Sequence, residues 1–228
     1  LTPDSFVPSQ LPGWTASQCV VNISPALGAR FMQVHITLDK DGVGEGNTGA
    51  NEYFIYVVEG NGAVTLSDKR HRLEVGSYVY LPPDTDMQIK TGGTPMRVLV
   101  FQKRYEPMSG AAKPSVVVAH ERDVKGQPLR VDDALRVQAL LPDSPALDMG
   151  IDLFTFQPGA TLPAVGSHIM EKGLLMLRGQ GIWRLGDDWH PVQAGDTIWM
   201  APYCPHWFVA MGKTPASFIC YKDVNRDP

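Results

Sequence analysis

The chain has 228 residues, 43% hydrophobic and 19% charged, with a formal net charge of −4. That balance fits a globular chain long enough to bury a sizeable core and excludes a disordered one. It also excludes a nucleic-acid binder, which needs a basic face: no Lys/Arg run exceeds a pair such as Lys69-Arg70. The 22 glycines and 19 prolines favour short strands joined by tight turns over long helices. Apolar stretches run to only about six residues, far short of a membrane span. The cysteines Cys19, Cys204 and Cys220 are odd in number and match no zinc spacing, so reduced thiols in a cytoplasmic protein are expected.

In chain order, the first predicted strand is the aromatic and β-branched run 53–58, stopped by Glu59-Gly60. Strands at 63–66, 76–81 and 98–101 follow, with Ser67-Asp68 and Pro82-Pro83 as breaks. Residues 106–115 are rich in Pro, Gly, Ala and Ser and read as a linker. The polar run 120–136 leaves a short helix and another edge strand equally open. Further strands are predicted at 174–177, 181–185, 197–200 and 217–221.

The second set repeats the first. Adding 119 to Glu59-Gly60-Asn61-Gly62 gives Arg178-Gly179-Gln180-Gly181, and the same shift carries Val75–Leu81 onto Ala194–Met200. Glu52 maps onto Glu171 and His71 onto His190, without a gap. The expectation is therefore an all-β chain of two copies of one barrel or sandwich unit: 1–105, a linker and bridging segment at 106–135, and 136–228.

The motifs around the second copy carry a resemblance. Pro158-Gly159-Ala160, then His168, Lys172 and Gly179, is similar to the first cupin motif; Gly195-Asp196, Pro202 and His206 are similar to the second. Two such units make a bicupin, a pair of jelly-roll β-barrels. Leu1-Thr2-Pro3-Asp4, Gly179-Gln180-Gly181, Pro191–Asp196 and Tyr221–Arg226 further resemble the (S)-ureidoglycine aminohydrolase family, also called glyoxylate-induced proteins, over nearly the whole chain. The resemblance implies a hydrolase of purine and allantoin catabolism that breaks a C–N bond of a small ureido acid and releases ammonia. It also implies Mn2+ in the second barrel, where a hard cation can hold the substrate and activate water, and assembly into homo-oligomers.

Laid on this chain, the family's metal pattern Glu-x-His-x-x-x-His plus a later Gln falls on Gly166, His168, Lys172 and His206. His168 and His206 are thus the candidate metal ligands, an incomplete set. Two unit charges 4 Å apart cost about 4 kcal/mol at an effective dielectric of 20. A Lys172 ammonium beside a divalent ion would cost about twice that, so this ammonium is expected to stand where the ion sits in the family. The family's substrate-facing tyrosines fall on Trp183 and Phe218, and its lysine near the substrate on Lys222. The candidate catalytic residues are Lys222 and His206; the candidate substrate-binding residues are Trp183, Phe218, Lys172 and Tyr221. Whether Glu171 faces the pocket stays open. In the first copy the equivalent positions are Asn47, Gly49, Tyr53 and Met87, which make no metal site, so that copy reads as structural. Three functions compete: the hydrolase, a metal-free bicupin that holds a small carboxylate without catalysis, and a different cupin reaction such as isomerisation or dioxygenation.

Overall fold

The computed structural model of the chain describes residues 1–129 and 132–226. The parts of the expected bridging segment and second-barrel span at 130–131 and 227–228 lie outside the described residues. Two compact units result, one of residues 6–123 and one of residues 1–5 with 124–228. Both are built almost wholly from antiparallel strands, as the bicupin resemblance implies.

In the first unit, β1 (Trp14–Ile23), β2 (Met32–Asn47), β3 (Asn51–Glu59), β4 (Asn61–Leu66), β5 (Lys69–Glu74), β6 (Ser77–Leu81), β7 (Asp86–Thr91), β8 (Met96–Arg104) and β9 (Val117–His120) form one sheet of order β5-β4-β7-β2-β8-β3-β6-β9, with β1 on β2. β2 turns the barrel corner: its first half pairs with β8 and its second half with β7. Gly42 stands at that corner, where a β-carbon would lie 2.7 Å from Leu38 Cβ and 2.8 Å from the Ala16 carbonyl oxygen. The interior is aliphatic, with Val34, Ile36, Ile55, Val64, Leu73 and Val98 among the buried residues. Tyr53 packs against this core and Met87 lies within it. β9 pairs with β6, so part of the expected bridging segment belongs to the first sheet.

The second unit holds β10 (Gln127–Leu129), β11 (Asp132–Ala139), β12 (Met149–Phe156), β13 (Lys172–Arg178), β16 (Thr197–Met200) and β18 (Ala216–Asp223) in one sheet of order β10-β11-β12-β18-β13-β16. β14 (Gln180–Leu185), β15 (Asp188–Gln193) and β17 (His206–Met211) form the other, of order β15-β14-β17. The run left open between helix and strand contains a 3-10 turn (Glu121–Asp123), β10 and the start of β11.

The repeat survives in three dimensions as a buried carboxylate–aromatic pair in each unit. Tyr80 Oη donates to Glu52 Oε2 at 2.5 Å, and Trp199 Nε1 donates to Glu171 Oε2 at 3.2 Å. Glu52 and Glu171 are buried and related by the same 119-residue shift, as are Tyr80 and Trp199. A buried carboxylate is tolerated only with such donors. Tyr80→Phe should therefore destabilise the protein by about 1–3 kcal/mol in chemical denaturation, because the Glu52 carboxylate loses a donor it cannot replace with water.

His35 of β2 is half-buried, its Nε2 enclosed and lacking a hydrogen-bond partner among the described residues, and it packs edge-on against Phe6. Burial, aided by the Arg97 charge, lowers its pKa to about 4. The unfolded chain then binds the extra proton between about pH 6.5 and 4, so stability falls as pH drops through that window. His35→Phe should flatten this part of a denaturation-versus-pH profile while leaving the neutral-pH value close to unchanged.

Candidate functional site

Strand alternation places Lys172, Leu174 and Met176 of β13 on the interior of the second barrel, together with Phe218 and Cys220 of β18 and His206 and Phe208 of β17. At one end the space is filled by rings: Phe208 lies 4.9 Å from Phe156, 4.9 Å from Trp183 and 5.5 Å from Phe218, centroid to centroid. The other end is a cavity of about 470 Å³.

One rim of that cavity is a strand that fails to form. In the first unit the second half of β2 pairs with β7 along Val43–Asn47. In the second unit the corresponding segment runs beside β17 but keeps only isolated bridges, Thr161 with Val209 and Gly166 with His206. Pro158 and Pro163 interrupt it, each removing a backbone donor. The residues from Leu162 to His168 line the cavity instead of closing it. The Gly166 bridge is complete, with N–H···O distances of 2.9 and 2.8 Å, and the Tyr203 amide holds the His168 carbonyl at 2.7 Å.

Inside, Lys172 Nζ lies 2.9 Å from His206 Nε2, and His206 Nδ1 lies 2.9 Å from the Cys204 carbonyl. The carbonyl can only accept, so Nδ1 carries the proton; Nε2 then accepts from the Lys172 ammonium. Burial, with Lys172 and His168 nearby, lowers the His206 pKa to about 4, so the ring is neutral at neutral pH. Burial lowers the Lys172 pKa as well, and the Lys222 charge adds to that. His168 sits exposed at the mouth, its ring 5.3 Å from that of His206, and desolvation with the two lysine charges lowers its pKa too.

Five of the residues expected from sequence thus line one cavity: His168, Lys172, Trp183, His206 and Phe218. Two do not. Lys222 is cross-strand from Lys172 on the same face, but its Nζ is bound to Asp152 Oδ2 at 2.8 Å, which raises its pKa against the opposing effect of burial. Tyr221 is fully buried on the opposite face of β18 from Cys220. Glu171 is not a lining residue; its carboxylate turns to Trp199. Sequence reasoning missed Leu174 and Cys220, which two-residue alternation from Lys172 and Phe218 would have found. It also missed Phe154, because β12 had no strand prediction. The Cys220 thiol is protonated, burial pushing its pKa to about 12.

The manganese implied by the resemblance does not fit these residues. A hard divalent cation wants oxygen ligands, and none of the described lining residues is Asp or Glu. A β-carbon at position 166 would lie 3.0 Å from His168 Nε2 and 3.1 Å from His206 Nε2, so this position faces both imidazoles, yet as glycine it brings no carboxylate. Lys172 takes the His206 lone pair that a metal would need. Among the described residues no group of three or more His, Cys, Asp or Glu side chains is placed to hold an ion. The double substitution Gly166→Glu with Lys172→His supplies the missing donors. It should convert a protein with negligible manganese after metal-free purification into one that binds manganese near stoichiometrically, as read by elemental analysis.

Comparison with known proteins follows the same outline. The cupin domain family model matches residues 34–101 and 152–222. The chain is 41% identical to (S)-ureidoglycine aminohydrolase of Arabidopsis thaliana, over all of this chain and 76% of that protein. It is 31% identical to (S)-ureidoglycine aminohydrolase of Escherichia coli K12, over all of this chain and 88% of the other. In structure it superposes on the protein Ylba of E. coli with a TM-score of 0.89 at 29% identity, covering 100% of this chain and 91% of that one. The putative glyoxylate-induced protein of Pseudomonas aeruginosa gives 0.88 at 29% identity, over 97% and 85%.

Proposed function

The chain belongs to the (S)-ureidoglycine aminohydrolase family of cupin proteins, and from that premise we propose that it acts on a small ureido acid of purine and allantoin catabolism, hydrolysing a C–N bond with release of ammonia. Full-length identity of 31% to 41% to proteins bearing that name carries the reading.

In this reading the work falls to the chain's own side chains. The Lys172 ammonium, held at His206, binds the substrate carboxylate at the wall of an apolar cavity, where an ionic hydrogen bond is stronger than in water. Neutral His168 at the mouth accepts a proton from the attacking water, and the Lys172–His206 pair delivers one to the departing amine. The C–N bond breaks as the C–O bond forms, leaving ammonia and a hydroxy acid. Lys222, kept charged by Asp152, adds to burial in lowering the pKa values of His168 and Lys172, which suits the one to accept a proton and the other to give one up. The partner is a small molecule; homo-oligomeric assembly and a cytoplasmic location belong to the same proposal.

A second reading, a metal-free barrel that binds a carboxylate without turnover, is favoured by one specific observation: Lys172 stands on the imidazole that a metal would take. Ammonia release from (S)-ureidoglycine separates the two. The hydrolase should release ammonia at a rate unchanged by chelator, and His168→Ala should lower that rate by about 10²–10⁴-fold. No release above the uncatalysed background would leave the binding reading.

A further inference from the structure

Two lysines stand side by side at the hollow end of the second barrel. Strands β12, β18 and β13 are neighbours, and their register puts Gly150, Lys222 and Lys172 in one cross-strand row and Asp152, Cys220 and Leu174 in the next. Cross-strand partners share a face, so both rows look into the barrel. Lys172, Leu174 and Cys220 line the cavity there. Like charges directly opposite one another repel, and each ammonium has its own partner. Lys172 Nζ meets His206 Nε2 at 2.9 Å, and Lys222 Nζ meets Asp152 Oδ2 at 2.8 Å.

The two partners are not equivalent. His206 is neutral and leaves the Lys172 charge uncompensated, whereas Asp152 cancels that of Lys222. Lys222 reaches Asp152 by a route that residue 150 keeps clear. Its stem crosses Gly150, where a β-carbon would lie 2.8 Å from Lys222 Cε and 3.3 Å from its Cγ. The Asp152 side chain is 12% exposed and that of Lys222 33%, so water and salt screen this pair less than one on the open surface. Asp143 also acts on Lys222, but it is exposed and its pull is weaker. Lys222 therefore stands beside a lining residue without being one. Among the described residues, the cavity offers an incoming anion one uncompensated ammonium, not two.

We infer that Asp152 is a positioning residue that sets the charge specificity of the site: by engaging Lys222 it limits the second barrel to small acids with a single carboxylate, bound at Lys172, and excludes dicarboxylates. The inference rests on the functional reading in one respect, that Lys172 receives the ligand's carboxylate, and not on turnover. A ureido acid with one carboxylate matches that charge. A second carboxylate would give up its water with no free cation to receive it. With Asp152 made neutral, Lys222 is free to form a charge-assisted hydrogen bond to that second group.

Calorimetry on the intact chain with two ureido acids of one size tests it: N-carbamoylasparagine, with one carboxylate, and N-carbamoylaspartate, with two. A cavity of about 470 Å³ has room for either. The wild type should bind the monocarboxylate at least about tenfold more tightly. Asp152→Asn should move that ratio at least about tenfold towards the dicarboxylate, and adding Lys222→Met should return it to the wild-type value. A merely structural role for Asp152 would weaken both probes together and leave the ratio where it was. The wild-type comparison stands even if the variants fold poorly. Equal binding of the two probes by the wild type, no binding of N-carbamoylasparagine at millimolar concentration, an unchanged ratio in Asp152→Asn, or a shift that persists without Lys222 would each overturn the inference. Ammonia release from (S)-ureidoglycine on the same preparation keeps the two proposals apart. Turnover without the charge preference sinks this one alone, and the charge preference without ammonia sinks the hydrolase reading alone.

Discussion

A lysine ammonium hydrogen-bonded to a neutral imidazole inside a barrel organises the second unit. Lys172 Nζ and His206 Nε2 meet at 2.9 Å, and nearly everything notable about the cavity follows from that contact. The Cys204 carbonyl fixes the tautomer of His206 by accepting from Nδ1. Burial and the Lys172 charge keep His206 neutral. An ammonium in this position leaves no lone pair and no charge balance for a divalent ion, so the metal pattern that the resemblance implies is replaced here by a lysine–histidine contact.

The two units keep one architecture and differ in their interiors. The outer faces keep the same device, a buried glutamate held by an aromatic donor: Glu52 with Tyr80, and Glu171 with Trp199. Such a pair is costly to disturb one residue at a time, since a lone buried carboxylate is worse than none. The interiors have diverged. Aliphatic side chains fill the first barrel, whereas the second is packed with rings at one end and left hollow at the other. The hollow end coincides with the segment where Pro158 and Pro163 reduce a ladder to isolated bridges.

Much of the site was legible in the sequence because motif spacing and strand alternation carry it. His168, Lys172, His206, Trp183 and Phe218 follow from the cupin motifs and the family pattern, and all five line the cavity. Lys222 and Tyr221 show the limit of that logic. They are neighbours in one strand and therefore point to opposite faces, and Lys222 is engaged by Asp152, a residue 70 positions earlier in the chain. Phe154 escaped notice because its strand lacks a clean alternation, being buried on both faces for part of its length.

By itself the sequence determined that the chain is two copies of one β unit, that the second copy holds the polar interior, and that its metal pattern is broken at 166 and 172. These are properties of residue identity and spacing, which survive in one dimension. Only the tertiary structure decided that Lys172 bonds to His206, that Lys222 is committed to Asp152, that Glu171 turns outward to Trp199, and that the cavity carries a single kind of charge. Each of those depends on which side chains from distant strands come within about 3 Å of one another, and hydrogen-bond energy falls away too steeply with distance and angle for spacing along the chain to reveal it.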